Sequence, residues 1–176
     1  MFMIDQEEEK VGTFPAACQV EPDIIAFGKK THVCGIIANR RVDEVENNVF
    51  EESSRINSTF GGNLVDMVRA TRILEIIEEE NLVENTAEMG EKMLTGLEHI
   101  AEESREIISN VRDKGLMIAF DLPDESKRDL MRDTMFDNGL IALKSGQRSI
   151  RFRGMLDTPE EIVNDALEIV ARSIPE

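Results

Sequence analysis

The chain contains no tryptophan and no tyrosine, and only 2 cysteines in 176 residues. Cys18 and Cys34 form no disulfide framework, and neither has a partner at metal-ligand spacing, so a zinc site is not expected and a reducing, cytoplasmic setting is. Long apolar runs are also missing. No stretch approaches the roughly 20 apolar residues that cross a bilayer. Met1-Phe2-Met3-Ile4 runs directly into Asp5-Gln6-Glu7-Glu8-Glu9, which lacks the basic start, apolar core and cleavage site of a secretory signal. Cations are scarce: 20 Lys and Arg face 36 Asp and Glu, for a formal charge of -16. The acidic residues are spread along the chain, and such a field excludes nucleic acid and anionic membrane as natural partners. Internal repeats, low-complexity tracts and flexible linkers are absent too.

What is present is enough for a folded core, since 41% of residues are hydrophobic. Ile24-Ile25-Ala26-Phe27 and Val33-Cys34-Gly35-Ile36-Ile37-Ala38 read as short buried strands joined by the polar connection Gly28-Lys29-Lys30-Thr31-His32. From Asn63 the period becomes helical through Leu64, Met67, Val68, Leu74 and Ile77, with Asn63 as cap, and the helix is expected to end near Glu80. A second helix is expected from near Asn85, capped with Glu88, with Met89, Met93, Leu97 and Ile100 on one face. Then come an apolar run at Leu116 to Leu122, a helix from Asp124 to Asn138 closed by Gly139, and strand-like Leu140-Ile141-Ala142-Leu143 and Ser149-Ile150-Arg151-Phe152. A last helix is signposted by Thr158 as cap, Pro159 in its first turn and Glu161 in a capping box, with Ile162, Ala166 and Val170 sharing a face. The order implies a mixed α/β architecture.

Three places could carry chemistry. A lysine at the end of a buried strand can be desolvated, which lowers its pKa and leaves a neutral amine able to attack a carbonyl; the competing reading makes Lys29 and Lys30 exposed turn residues. In an extended backbone only one of the two can address a single ligand. The hydroxyl- and glycine-rich stretch Ser53-Ser54-Arg55-Ile56-Asn57-Ser58-Thr59-Phe60-Gly61-Gly62 leads into the helix start at Asn63, and serves either an anion or only the helix. Arg151 and Arg153, alternating with Phe152, put two guanidinium groups on one face, suited to a carboxylate or equally to a solvated edge strand. His32 and His99 have no acid, nucleophile or metal constellation around them.

The segment Pro22-Asp23-Ile24-Ile25-Ala26-Phe27-Gly28-Lys29-Lys30-Thr31, with Val33-Cys34-Gly35, resembles the cofactor-lysine segment of class III pyridoxal-phosphate-dependent aminotransferases, and within them the L-lysine 6-transaminase group. Arg41-Val42-Asp43-Glu44-Val45, Asn57-Ser58-Thr59-Phe60-Gly61-Gly62-Asn63, Gly115-Leu116-Met117-Ile118-Ala119-Phe120 and Ile150-Arg151-Phe152-Arg153 follow in that family's order, so the likeness runs from about residue 17 to the end. It implies fold type I of the pyridoxal-phosphate-dependent transferases: residues 1–80 as the end of the large cofactor-binding domain with a linking helix, and 81–176 as the small C-terminal α/β domain. It further implies pyridoxal 5'-phosphate as cofactor, carried by Lys29, which also moves the catalytic proton; Thr59 on the cofactor phosphate across a homodimer interface; and Arg151 on a substrate carboxylate. The reaction implied moves the terminal amine of L-lysine to 2-oxoglutarate. Another terminal amine donor such as 4-aminobutyrate, or a folded interaction module without activity, are the alternatives.

The same resemblance expects a longer protein whose amino-terminal half holds a glycine-rich phosphate loop and an aromatic over the cofactor ring. Its Asp-Glu-Val-Gln-Thr-Gly segment, whose aspartate meets the pyridine nitrogen, has no match, and that role is not carried over to Asp5.

Overall fold

The computed structural model describes residues 22–28, 33–55, 59 and 61–175, and the chain divides into two compact units, Met1–Glu80 and Asn81–Glu176. In the first unit, β1 (Ile24–Phe27) pairs antiparallel with β2 (Gly35–Ala38), Ile24 opposite Ala38 and Phe27 opposite Gly35. Only glycine allows the closest pairing: a Cβ on Gly35 would stand 2.4 Å from the Phe27 ring. The base of this hairpin is tied by Asp23, whose carboxylate accepts from both Arg41 Nη1, at 2.9 and 2.8 Å, and Asn39 Nδ2, at 3.1 Å. The strands are half-buried to exposed, not buried as their apolar composition predicts, and Ile24 is 58% exposed. Among the described residues each has one neighbour, so neither edge nor face is fully covered.

A short 3-10 helix, Arg40–Glu44, follows, and the chain then turns around Asn48, a buried side chain that donates to Val45 O and accepts from Phe50 N. Helix α1 (Leu64–Glu79) starts where the sequence predicts, because Asn63 Oδ1 accepts from Val65 N at 3.1 Å. Ile77 is buried, whereas Leu64, Val65, Met67, Val68 and Leu74 are exposed.

The second unit contains α2 (Leu82–Glu103), β3 (Ser109–Lys114), β4 (Met117–Asp121), α3 (Glu125–Asp137), β5 (Leu143–Ser145), β6 (Ser149–Arg153) and α4 (Glu160–Arg172). Its antiparallel sheet has the order β3-β4-β6-β5. Period-two alternation sends Ile118, Phe120, Ile150 and Phe152 into a core shared with Met89, Met93 and Leu97 of α2, Met131 and Met135 of α3, and Val163, Ala166 and Val170 of α4. Burying several such side chains, each contributing about 1.5–3 kcal/mol, supplies the main stabilisation of this unit. Helix α2 approaches the β3–β4 turn so closely that a Cβ on Gly90 would lie 2.5 Å from the Gly115 carbonyl carbon, and Gly115 itself turns at φ +58.

Several details depart from the sequence expectation. Helix α2 begins at Leu82, after Asn81 breaks the chain in the left-handed region at φ 51, and Asn85 is no cap: its Nδ2 donates to Leu156 O (2.7 Å) and Thr158 O (3.1 Å). At α4 the boundary residue is Pro159, while the Thr158 hydroxyl donates to Met155 O and closes the preceding turn. Val163, not Ile162, joins Ala166 and Val170 inside; Ile162 is exposed. Strand β5 starts at Leu143, so Leu140 to Ala142 lie outside it. The polar β3 carries no apolar alternation to announce it. Its pairing with β4, and the bonds Asp121 accepts from it, make the strand.

Candidate active site

Lys29, Lys30, Thr31 and His32 lie outside the described residues, but the ends of their connection do not. Gly28 and Cys34 continue the Phe27–Gly35 pair, and a Cβ on Gly28 would lie 2.8 Å from Cys34 Sγ. Gly28 thus permits a close approach of the two chain segments where the candidate lysine follows. Cys34 is a free, exposed cysteine.

Thr59 is exposed, and its hydroxyl has no hydrogen-bond partner among the described residues. Beyond it Gly62 turns at φ +77, and no atom of the described residues lies within 4 Å of where a Cβ would stand. The start of α1 is already served: Asn63 caps Val65 N, and its Nδ2 donates to Asp66 Oδ2 at 3.1 Å. With that carboxylate in the first turn, helix polarity alone does not make this an anion site.

In the second unit β6 places Arg151 and Arg153 on the exposed face of the sheet, with Ile150 and Phe152 buried on the other. Cross-strand pairing puts Arg112, Ala119, Arg151 and Leu143 in one row, and Lys114, Met117 and Arg153 in the next. Arg112 is occupied: its Nη1 donates to Asp121 Oδ1 at 2.9 Å. The Asp121 carboxylate, almost completely buried, also accepts from Asn110 Nδ2 at 3.0 Å and Ser149 Oγ at 2.7 Å. Burial alone pushes its pKa up, but the hydrogen bonds from Asn110, Ser149 and Arg112, with the Arg112 charge, outweigh that and hold it below the usual carboxylate range. Arg151 has no acidic partner among the described residues.

The model of the family described as aminotransferase class-III matches residues 12–174. The chain belongs to the class-III aminotransferases. It is 43% identical, over an alignment of 180 residues, to an L-lysine-epsilon aminotransferase of Amycolatopsis lactamdurans, covering 99% of this chain and 40% of that protein. With an L-lysine-epsilon aminotransferase of Mycobacterium tuberculosis it shares 44% identity over 156 residues, 89% of this chain and 35% of the relative. Among solved structures, the lysine aminotransferase from M. tuberculosis in the internal aldimine form superposes with a TM-score of 0.85 at 44% identity, covering 90% of this chain and 37% of that one. An acetylornithine aminotransferase from Elizabethkingia anophelis gives 0.79 at 27% identity, covering 94% and 44%. The chain therefore has the fold of fold type I aminotransferases over the part it represents, and it spans about 40% or less of the length of these curated relatives.

The family implies pyridoxal phosphate, and the residues that can be described suit it. Thr59 offers a hydroxyl without a hydrogen-bond partner among the described residues, beside the glycine turn at Gly62, the donor chemistry that a phosphate oxygen takes. No group of His, Cys, Asp and Glu among the described residues could hold a metal ion, and no described helix is long and apolar enough to cross a membrane. The sequence reading missed Lys114 and the Asp121 network, because both become visible only through the β3–β4 register. The signal for the first was Gly115 beside Leu116, a two-residue turn in an alternating segment.

Proposed function

We propose that this chain is the lysine-bearing, carboxyl-terminal part of a pyridoxal-phosphate aminotransferase that moves the terminal amino group of L-lysine to 2-oxoglutarate. The products would be 2-aminoadipate 6-semialdehyde and glutamate. The observation that carries this reading is 41–44% identity to L-lysine-epsilon aminotransferases over 89–99% of the chain. In this reading the unit Met1–Glu80 belongs to the large cofactor-binding domain and Asn81–Glu176 is the small domain.

The cofactor supplies an aldehyde and an electron sink; the protein supplies binding, orientation and proton transfer. Lys29 would be the amine that holds the cofactor, and its Nζ, when neutral, would take the proton from the substrate carbon bearing the reacting nitrogen and deliver it to the cofactor side of that nitrogen. Thr59 holds the phosphate end. Arg151 binds a substrate carboxylate through its fork of N–H donors and so fixes which carbon faces the lysine. A homodimer in the cytoplasm fits the reading: the exposed Leu64, Val65, Met67 and Val68 of α1 form an apolar surface that a second copy would cover.

The test is spectroscopic. The chain, alone or with the amino-terminal part of a relative supplied, is expected to take up pyridoxal phosphate with visible absorbance that is lost in Lys29→Ala. Absorbance unchanged in that variant refutes the assignment. Comparing lysine with 4-aminobutyrate as donor then separates the proposed activity from another terminal-amine specificity.

A further inference from the structure

The carboxyl end of a helix carries partial negative charge and favours cations. Helix α4 obeys this and ends on Arg172, but the last turn of α2 holds no basic residue. Instead Glu98 and Glu102, at i and i+4, stand one above the other near that end, a placing of like charges that costs free energy. Neither carboxylate has an ion pair or hydrogen bond among the described residues, and both are exposed. The neighbouring Glu103 differs, with His99 Nδ1 at 3.7 Å. Arg105, just past the helix, is also exposed and without a partner among the described residues, although it lines the same cleft of about 460 Å³ as Glu98 and Glu102. Ala101 and Val111, partly buried against the core, give that cleft its apolar lining.

The volume falls within the roughly 300–1,000 Å³ of small-molecule sites. Two anions and one cation around an apolar lining are complemented by a ligand with two cations, one anion and a short hydrocarbon chain. We infer that this cleft binds a diamino monocarboxylic acid, the class of lysine and ornithine: Glu98 and Glu102 each take one ammonium group, Arg105 takes the carboxylate, and Ala101 and Val111 meet the methylenes. Side chains at i and i+4 of a helix have Cβ atoms about 5–6 Å apart, a span that the two amines of such a molecule can bridge. A neutral amino acid would leave one glutamate unpaired, and a dicarboxylate would be repelled by both. The net charge of -16 favours the approach of a cationic ligand. All five lining residues belong to the unit Asn81–Glu176, and Arg151 stands on the sheet face turned away from its core. The site is therefore argued without the cofactor lysine. Only one consequence rests on the function proposed above: the class includes the proposed amino donor, so occupancy of the cleft would register the supply of that donor.

The experiment titrates the full chain at low ionic strength with lysine, norleucine, cadaverine and glutamate, followed by backbone amide shifts of residues 98–111. Three partly exposed ionic contacts correspond to a lysine dissociation constant on the order of 10 mM. Norleucine, which lacks the side-chain amine, and cadaverine, which lacks the carboxylate, should each bind about threefold more weakly or worse, and glutamate should cause no shifts. Glu102→Gln is expected to bring lysine and norleucine together, while Arg105→Gln weakens lysine and leaves cadaverine unchanged. That split is one a purely structural role for Arg105 would not produce. Glu161→Gln, which removes the same charge from an exposed position on α4, should leave lysine binding as it is. Absence of shifts up to about 100 mM lysine, tenfold above the expected constant, overturns the inference. So does equal affinity for lysine and norleucine, an equal effect of Arg105→Gln on lysine and cadaverine, or a loss in Glu161→Gln as large as in Glu102→Gln, which would mark attraction by the general field only. Loss of the Lys29 assignment is read by cofactor absorbance and loss of this site by titration, so the two outcomes are separate.

Discussion

Replacing Asp121 by asparagine removes one negative charge and changes almost no volume, so its effect measures the polar network directly. The carboxylate is almost completely buried and accepts from Ser149 Oγ at 2.7 Å, Arg112 Nη1 at 2.9 Å and Asn110 Nδ2 at 3.0 Å. An asparagine can orient its one oxygen to Arg112 and Ser149, but its amide nitrogen then meets the Asn110 amide, donor against donor. Each hydrogen bond to a charge contributes about 1.5–3 kcal/mol, and the contributions overlap. Because Arg112 is 45% exposed and rehydrates, a loss of about 3 kcal/mol is expected at pH 7, below the sum of the three. The pH dependence follows from the lowered pKa. The unfolded chain binds this proton near pH 3.9, so the stabilisation is fully present above that value and is lost as pH falls through the lower folded pKa. Urea unfolding of the natural chain and Asp121→Asn, from pH 7 down to pH 3, should therefore show a gap that is constant near neutrality and closes in acid. A gap under about 0.5 kcal/mol at pH 7, or one that does not narrow in acid, would refute the argument that this carboxylate is charged and satisfied in the fold.

Two other substitutions probe how the second unit is held together. Gly90→Ala places a methyl 2.5 Å from the backbone of Gly115, which cannot turn aside as a side chain could, so a loss of about 1–3 kcal/mol in urea unfolding is expected despite the better helix propensity of alanine. Asn85→Ala leaves the carbonyls of Leu156 and Thr158 without their donor and should cost about 1–2 kcal/mol, with hydrogen exchange rising first in the segment before α4.

Which features were legible in the sequence depends on how locally they are determined. The starts of α1 and α3 are set by side chains two and three residues from the backbone they cap: Asn63 to Val65, Asp124 to Lys127. Gly139, at φ +94, closes the second of these as its position suggests. The start of α2 depends instead on a left-handed Asn81 and on Asn85 being claimed by carbonyls more than 70 residues away. Strand β3, with Val111 its only large apolar residue, has no periodic signal of its own. For the candidate site, the shared face of Arg151 and Arg153 follows from strand alternation, but that Lys114 joins them and that Asp121 is unavailable to them follows only from pairing across three strands.

The described residues of the two units differ in how much apolar surface they bury, and that difference bears on the chemistry. Asn81–Glu176 closes a core of methionine, leucine, isoleucine and phenylalanine side chains around one sheet face, leaving its other face to cations. In Met1–Glu80 the described strands are at best half-buried, and α1 exposes Leu64, Val65, Met67 and Val68. A lysine amine is held neutral near pH 7 when its surroundings exclude water, and the pKa returns toward about 10.4 when they do not. The segments flanking Gly28 and Cys34 supply little such exclusion by themselves, since Cys34 is exposed and Gly28 only half-buried. If Lys29 has the role proposed for it, its desolvation depends on whatever covers these strands. On the proposed role of Lys29, adding the amino-terminal part of a relative should consequently raise cofactor uptake well above that of the chain alone, and uptake that stays the same would refute this dependence.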